Sequence, residues 1–413
     1  MLQDAPRGAR VHIGLFGRRN AGKSSLINAL TGQEAALVSP VPGTTTDPVW
    51  KAMELIPFGP VVFIDTAGLD DEGELGEMRV RRSLSVLART DLALLVVDAT
   101  AGWSELEEDF LAELRRRGVR HLVVWNKADL APGTAAPEGA ISVSARDGWG
   151  IEELKTAIAA QAPAVWDEVP LVADLIEGGD LVVMVVPLDR EAPRGRLILP
   201  QVQTLRAVLD AGGQALVATD AGLPAAWEAL ARRPALVVTD SQAFGRVAAF
   251  VPAEIPLTSF SILFARHKGD LEVFVRGAEA IDGLSDGDRI LIAEACTHHV
   301  AGDDIARVKL PRWLAAHTGA RLDYAYAQGN DFPADLSPYR LVIQCGGCMV
   351  NRAEIRARIA SARAAGVPIT NYGVAIAKFH GILARAIAPF HLTASAPGPS
   401  RSSPTSPAVP RCG

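Results

Sequence analysis

Short runs of β-branched and leucine residues recur along most of the chain, bounded by glycine, proline and acidic turns. Between them lie longer segments whose apolar residues return every three or four positions. From Val11 to about Ala164 the short runs are Val11 to Phe16, Val61 to Ile64, Leu92 to Val97 and His121 to Trp125, and helical periodicity occupies Ser104 to Arg117 and Gly150 to Ala160. Strand-like runs alternating with helical stretches predict a parallel sheet covered by helices. The pattern restarts at about Leu171, with runs at Leu181 to Val186, Ala215 to Ala218 and Ala235 to Val238 around helical Gln201 to Leu209 and Ala225 to Arg232. It restarts again at about Phe260, with Arg289 to Ala293, Arg340 to Ile343 and Pro368 to Thr370 around helical Leu310 to His317 and Arg352 to Ala365. Three α/β units are therefore predicted. The segment Ala394 to Gly413 is rich in Pro and Ser with few large apolar residues, a composition that predicts disorder.

Composition agrees with several cores, because 413 residues at 49% hydrophobic content exceed what one core usually holds. A net charge of -6 gives no general attraction to nucleic acid or to an anionic membrane. Met1 to Arg10 lacks the apolar centre of a signal peptide, and no apolar run approaches the ~18 residues that span a bilayer, so a cytoplasmic protein is expected. Only four cysteines occur, three of them late in the chain, where clustering in a reducing compartment points to metal ligands or redox groups. The fourth, Cys412, falls in the Pro- and Ser-rich tail.

Gly17-Arg18-Arg19-Asn20-Ala21-Gly22-Lys23-Ser24 fits the phosphate-loop pattern GxxxxGK[ST], directly after a strand run and opening a helix, followed by Ser25. Its glycines let backbone N-H groups, including those of Asn20 and Ala21, wrap phosphates at a helix N-terminus. Lys23 is expected on the β and γ phosphates and Ser24 on magnesium. Pro42-Gly43-Thr44-Thr45-Thr46-Asp47 offers a threonine, Thr45, to magnesium, and Asp65-Thr66-Ala67-Gly68 follows an apolar strand, where Asp65 can hold a magnesium water and Gly68 can sense the γ-phosphate. These are the two candidate switches. Asn126-Lys127-Ala128-Asp129 places a carboxylate, Asp129, where it can accept both N1-H and N2-H of guanine, which selects GTP over ATP; Ser144-Ala145 is expected near the base O6. The ordered series resembles the translation-factor-like small GTPases of the TrmE and Era type. Leu69 cannot orient an attacking water as a glutamine would, so slow intrinsic hydrolysis is expected. Asn20 matches members of that group in which the asparagine helps bind potassium, and the acidic run Asp70 to Glu74 reads first as a solvated loop.

Cys296 follows the run Arg289 to Ala293, while Cys345 and Cys348 follow Arg340 to Ile343, so all three thiols are expected near the carboxyl ends of strands, where open α/β sheets form ligand sites. Such thiolates can hold a tetrahedral zinc, with His298 or His299 as fourth ligand, or three corners of a four-iron cluster. A CxxC disulfide pair is the third option, though it leaves Cys296 unexplained. His267, His317 and His380, and Trp103, Trp149 and Trp313, read as packing or surface residues.

Cys296-Thr297-His298-His299, Asp303-Asp304-Ile305, Lys309-Leu310-Pro311, Asp331-Phe332-Pro333, Cys345-Gly346-Gly347-Cys348-Met349 and Val367 to Ile376 resemble the cluster domain of the HydF family. Val186-Pro187-Leu188-Asp189 and Ala192 to Gln201 resemble its middle segment. The resemblance implies a GTPase for maturation of iron-only hydrogenase, carrying a 4Fe-4S cluster on Cys296, Cys345 and Cys348. Such a protein acts as a scaffold for a transient di-iron subcluster and works with two radical-SAM maturases and the apo-hydrogenase as a homodimer, with no nucleic acid or membrane partner. It implies an N-terminal extension (1–10), a TrmE/Era-like P-loop GTPase domain (11–165), a small α/β dimerisation domain (170–259), a C-terminal α/β iron-sulfur cluster-binding domain (260–391) and a disordered tail (392–413). Gln344 stands where the family pattern has a histidine, which turns attention to His298, water or a carboxylate such as Glu294 for the open iron. The alternative is a TrmE-like RNA-modification or ribosome-associated GTPase with a zinc-binding cysteine domain.

Overall fold

The computed structural model describes residues 8, 10–32, 49–55, 59–70, 85–166, 169–187, 197–295, 304–329 and 331–393. In the first segment, β1 (Val11–Phe16), β2 (Val49–Leu55), β3 (Gly59–Asp65), β4 (Leu92–Asp98), β5 (Arg120–Asn126) and β6 (Ile141–Val143) form one sheet, ordered β2-β3-β1-β4-β5-β6. Strand β2 runs antiparallel to β3 and the remaining neighbours are parallel. The centre of this sheet is apolar on both faces, as a helix-covered parallel sheet requires. Successive residues of β4 serve opposite cores: Leu94 and Val96 pack with Leu15, Leu26 and Ile158, whereas Leu95 and Val97 pack with Phe16, Phe110 and Leu114. Helices α1 (Lys23–Thr31) and α3 (Ile151–Trp166) cover one face and α2 (Glu105–Arg116) the other. The start of α2 is fixed by a reciprocal cap between Ser104 and Glu107.

The second sheet consists of β7 (Leu181–Val185), β8 (Gln214–Ala218), β9 (Leu236–Thr239) and β10 (Leu257–Ser259), all parallel, in the order β10-β9-β7-β8. Its helices are α4 (Leu199–Asp210), α5 (Leu223–Glu228), α6 (Phe244–Phe250) and α7 (Phe260–Lys268). The third sheet has β11 (Arg289–Glu294), β12 (Asp323–Gln328), β13 (Leu341–Gln344) and β14 (Ile369–Asn371), again parallel, in the order β12-β11-β13-β14. Helices α8 (Leu271–Glu279), α9 (Leu310–Thr318), α10 (Arg352–Ala364), α11 (Tyr372–Phe379) and α12 (Leu383–Ile387) accompany it.

Helix α7 binds the last two sheets together. Phe260, Leu263 and Phe264 enter the core of Val182, Met184 and Val238, while Ile262 and Ala265 enter a second core that holds Val185, Phe244, Ile292 and Ile343 together. In the third sheet the chain leaves β11 toward β12 and returns on the other side at β13, so the order reverses between β11 and β13. A reversal of this kind opens a crevice at the carboxyl ends of the two strands.

Several elements depart from the sequence reading. Strands β2, β6, β10 and β12 carry too little apolar periodicity to stand out; β12, Asp-Tyr-Ala-Tyr-Ala-Gln, is an edge strand and mostly half-buried. The helix expected at Ala225 to Arg232 runs Leu223–Glu228, beginning where Pro224 suits a first turn. Residues 394–413, expected to be disordered, lie outside the described residues.

Candidate functional sites

The first site is built at the carboxyl end of β1. Gly17 has φ +146, and a Cβ there would sit 2.1 Å from the Val96 carbonyl oxygen, so only glycine lets the loop pass over β4. Asn20 and Gly22 also take left-handed backbone, at φ 61 and φ 91, which turns the loop into α1 at Lys23. Lys23 is buried and donates from Nζ to the carbonyls of Gly17 (3.0 Å) and Arg18 (2.7 Å). The Ser24 hydroxyl donates to Asp65, whose pKa burial raises above the usual carboxylate range against the opposing effects of Ser24, Lys23 and Lys51. The loop therefore has a lysine and a hydroxyl–carboxylate pair in the arrangement a phosphate–magnesium site uses. Thr45 lies outside the described residues.

Asn126 joins the base-side loops to the phosphate side. Its Nδ2 donates to Ala21 O at 2.9 Å and its Oδ1 accepts from Ala145 N at 3.1 Å. Lys127, in left-handed backbone, reaches Asp98 at 2.6 Å. Asp129 is exposed on a short 3-10 turn, Ala128–Leu130, and Ser144 is buried with its Oγ accepting from Asp147 N. Sequence reasoning missed two supports of this site. Asp70, read as a solvated residue, accepts from Arg19 N at 2.6 Å and so ties the second switch to the loop. Arg18 donates from Nε to the buried Glu107 at 2.8 Å, fastening the loop to α2.

The second site is the crevice between β11 and β13. Ala293 and Gln344 are register partners, and Cys345 N donates to Ala293 O at 2.8 Å. The Ala295 N-H then points at Cys345 Sγ, 3.1 Å away, so the chain leaving β11 passes directly over the first cysteine. Cys345 and Cys348 are free thiols, and burial pushes both pKa values up. Gly347, at φ +66, makes the bend between them. Cys296, His298 and His299 lie outside the described residues, beginning one position past Ala295. Two half-buried soft donors, one receiving a backbone N-H, suit a thiolate-ligated metal or iron-sulfur cluster.

Around these thiols the structure gathers Lys268, which no sequence motif marks, and several residues that the sequence reading names. Lys268, the last residue of α7, is buried and donates from Nζ to the carbonyls of Val350 (2.7 Å), Gly347 (3.0 Å), Gly8 (3.1 Å) and Cys348 (3.4 Å). Burial lowers its pKa to about 8, with Cys348, Asp91 and Cys345 opposing. Asn371 caps α11 by accepting from Val374 N at 2.9 Å and donates to Ser261 O at 3.2 Å. Glu294 is buried and accepts from Arg307 (2.8 Å) and Gln328 (3.2 Å), so it already serves an internal ion pair. Gln344 is buried, and among the described residues its Oε1 has no hydrogen-bond partner; the same holds for the Tyr372 hydroxyl.

The remaining candidates are packing or surface residues. His267 bonds Val169 O at 2.7 Å, His317 pairs with Asp282, and Trp313 packs on Phe379 and His380. Trp103 donates to Glu108, and Trp149 is exposed.

Three family profiles match the chain. Residues 12–127 match a 50S ribosome-binding GTPase, residues 171–269 the hydrogen maturase F dimerization domain, and residues 272–389 the hydrogen maturase F tetramerization domain. Among curated proteins, the tRNA modification GTPase MnmE of Nitratidesulfovibrio vulgaris (strain DP4) is 45% identical over 153 residues, which is 35% of this chain and 33% of that protein. The MnmE of Dechloromonas aromatica (strain RCB) is 39% identical over 151 residues, covering 35% and 33%. The chain thus spans about a third of the length of these relatives, and the likeness is to their GTPase portion. Among solved structures, Aquifex aeolicus Era bound to GDP.AlF4- is 21% identical with a TM-score of 0.34, covering 50% of this chain and 93% of that one. The FeoB G-domain of Methanococcus jannaschii is 28% identical with a TM-score of 0.30, covering 37% and 98%. Among the described residues no helix is long and apolar enough to cross a membrane.

Proposed function

The chain belongs to the hydrogen maturase F (HydF) family, with an N-terminal P-loop GTPase domain, and on that premise we propose that it is a GTP-hydrolysing scaffold that assembles and delivers the di-iron subcluster of iron-only hydrogenase. In this reading 11–165 turns over GTP, 170–259 dimerises and 260–391 carries a resident 4Fe-4S cluster. The partners are two radical-SAM maturases and the apo-hydrogenase, the protein works as a homodimer in the cytoplasm, and the di-iron unit is cargo. The profile names for 171–269 and 272–389 support an oligomeric assembly.

At the nucleotide site, the backbone around Gly17, Asn20, Ala21, Gly22 and Ser25 cradles phosphates, Lys23 neutralises them, and Ser24, Thr45 and Asp65 hold magnesium. Gly68 follows the γ-phosphate, Asn126 and Lys127 shape the base pocket with Ser144 and Ala145, and Asp129 reads guanine. Asn20 supports potassium, which supplies the transition-state charge that Leu69 cannot help organise. At the crevice, Cys296, Cys345 and Cys348 hold the cluster, whose chemistry is thiolate-ligated iron with one iron open to an exchangeable ligand. His298 is the candidate for that ligand or for a hydrogen bond to it. Glu294 is held by Arg307, which argues against its taking that role.

The observation that carries the reading is the Ala295 N-H on Cys345 Sγ, because it brings the strand that precedes Cys296 onto the Cys345 thiol. Anaerobic reconstitution tests it. Cys296→Ala, Cys345→Ala and Cys348→Ala each lose most bound iron while GTP hydrolysis persists, and Cys412→Ala changes neither. A colourless wild-type protein with stoichiometric zinc would instead favour the RNA-modification reading that the MnmE likeness raises.

A further inference from the structure

Lys268 belongs to no motif, yet its side chain sits inside the bend that carries two of the cysteines. Only 5% of it is exposed, and its ammonium donates to Gly347 and Val350 on the loop and to Gly8 from the start of the chain. The contact with the Cys348 carbonyl is longer, at 3.4 Å. Among the described residues no carboxylate lies within ion-pair distance of Nζ. A buried ammonium without a carboxylate is costly unless other negative charge faces it. Carbonyl dipoles supply part of that, and the ring of Phe264 lies 5.4 Å from Nζ. The negative charge that faces it is that of the Cys348 and Cys345 sulfurs, with the Asp91 carboxylate contributing from beyond ion-pair distance.

We infer that Lys268 is the fixed counter-charge of the cysteine loop, securing its backbone and raising the reduction potential of the cluster that the loop holds. The inference rests on the cluster reading above. A four-iron cluster on thiolates is anionic and gains one more negative charge on reduction, so a nearby fixed cation favours the reduced form. Net charge and hydrogen bonding around the sulfurs are recognised determinants of such potentials. The position suits a cation for a second reason: it closes α7, where the helix dipole presents its negative end.

Wild-type, Lys268→Gln and Lys268→Arg proteins are reconstituted anaerobically, their iron is counted, and the midpoint is read by EPR-monitored redox titration. Glutamine keeps an N-H donor for the carbonyls but loses the charge; arginine keeps the charge. The Gln midpoint is expected to move negative by a tenfold change in the reduced-to-oxidised ratio, about 59 mV for one electron, with the Arg midpoint staying near wild type. Iron lost from a folded Gln protein but kept by Arg supports the same conclusion. A Gln protein with full iron and the wild-type midpoint overturns the inference, as does equal loss of iron from both variants, which would mean that shape and not charge matters. Should the Gln protein fail to fold by circular dichroism, the Arg protein decides, its wild-type midpoint supporting and a tenfold negative displacement overturning. A wild-type protein that takes up no iron-sulfur cluster sinks the cluster reading itself, a result distinct from any of these.

Discussion

Single side chains in this molecule often hold two segments that are far apart in sequence. Asn126 spans the phosphate loop and the Ser144-Ala145 loop with its two amide ends, a connection an aspartate could not make because it lacks the donor for Ala21 O. His267 works similarly, tying the end of α7 to Val169, the residue that leads into the second segment. The carbonyl at 2.7 Å requires Nδ1 to be the donor, and burial, with Arg352, Lys268 and Arg266 nearby, holds the imidazole pKa below its ordinary 6.5. The sign follows from linkage: on acidification the unfolded chain takes up a proton at this residue before the folded one does. Its contribution is therefore intact above about pH 6.5 and declines as pH falls toward the lowered folded value. Denaturant titrations at pH 7.5 and 5.5 are expected to show wild type losing more stability than His267→Gln, whose amide can still donate to Val169. Equal losses in the two proteins would show that His267 is not the group responsible.

Helices and strands show which parts of the site could be read from sequence and which could not. The phosphate-loop pattern and the Asn126 to Asp129 turn can be read from sequence because each is a run of consecutive residues whose backbone turns locally, which leaves a contiguous trace. Cys345 and Cys348 were legible for the same reason. Lys268, Asp70 and the Arg18–Glu107 pair were not, because their partners are distant in sequence and a lone lysine or aspartate carries no period. Helix α8 adds a further hidden requirement. A Cβ on Gly277 would fall 1.9 Å from the Ile369 carbonyl oxygen, so glycine there allows α8 to lie directly on β14, the strand that ends in the Asn371 cap of α11. The Gly277 backbone is ordinary helix, so the residue reads in sequence only as a helix-weakening choice. Overpacking of this kind typically costs about 1–3 kcal/mol. Gly277→Ala is expected to lower the unfolding free energy of the C-terminal segment by an amount in that range, and its denaturation midpoint with it, while GTP turnover is retained. An undiminished midpoint would mean the helix can shift away from β14 freely.

At the scale of the whole chain, the GTPase sheet meets the cysteine loop through a small set of polar contacts. Asn351, three residues past Cys348, donates from Nδ2 to Arg89 O (2.8 Å) and to the Asp91 carboxylate (2.9 Å), which also accepts from His12 N (2.9 Å). Arg89 faces Glu354 on the first turn of α10 at 3.6 Å. Beside this junction lies a cleft of about 560 Å³ lined by Arg116, Arg120, Arg352 and Arg356. The junction lies at the amino-terminal end of β4, while the phosphate loop lies at the carboxyl end of β1. The phosphate loop and the cysteine loop thus lie toward opposite ends of one sheet. Asn351→Asp isolates the junction, because the new carboxylate can still cap α10 by accepting from Glu354 N, as Asn351 Oδ1 does at 3.2 Å. It loses the donor to Asp91 and sets two carboxylates face to face. A hydrogen bond to a charged group contributes about 1.5–3 kcal/mol, so loss of this one, with repulsion added, is expected to uncouple the two segments. Denaturation followed by far-UV circular dichroism and by loss of GTP turnover is expected to give separated transitions in Asn351→Asp and closer ones in wild type. Coincident transitions at the wild-type midpoint in the variant would show that the segments are held together by contacts other than Asn351.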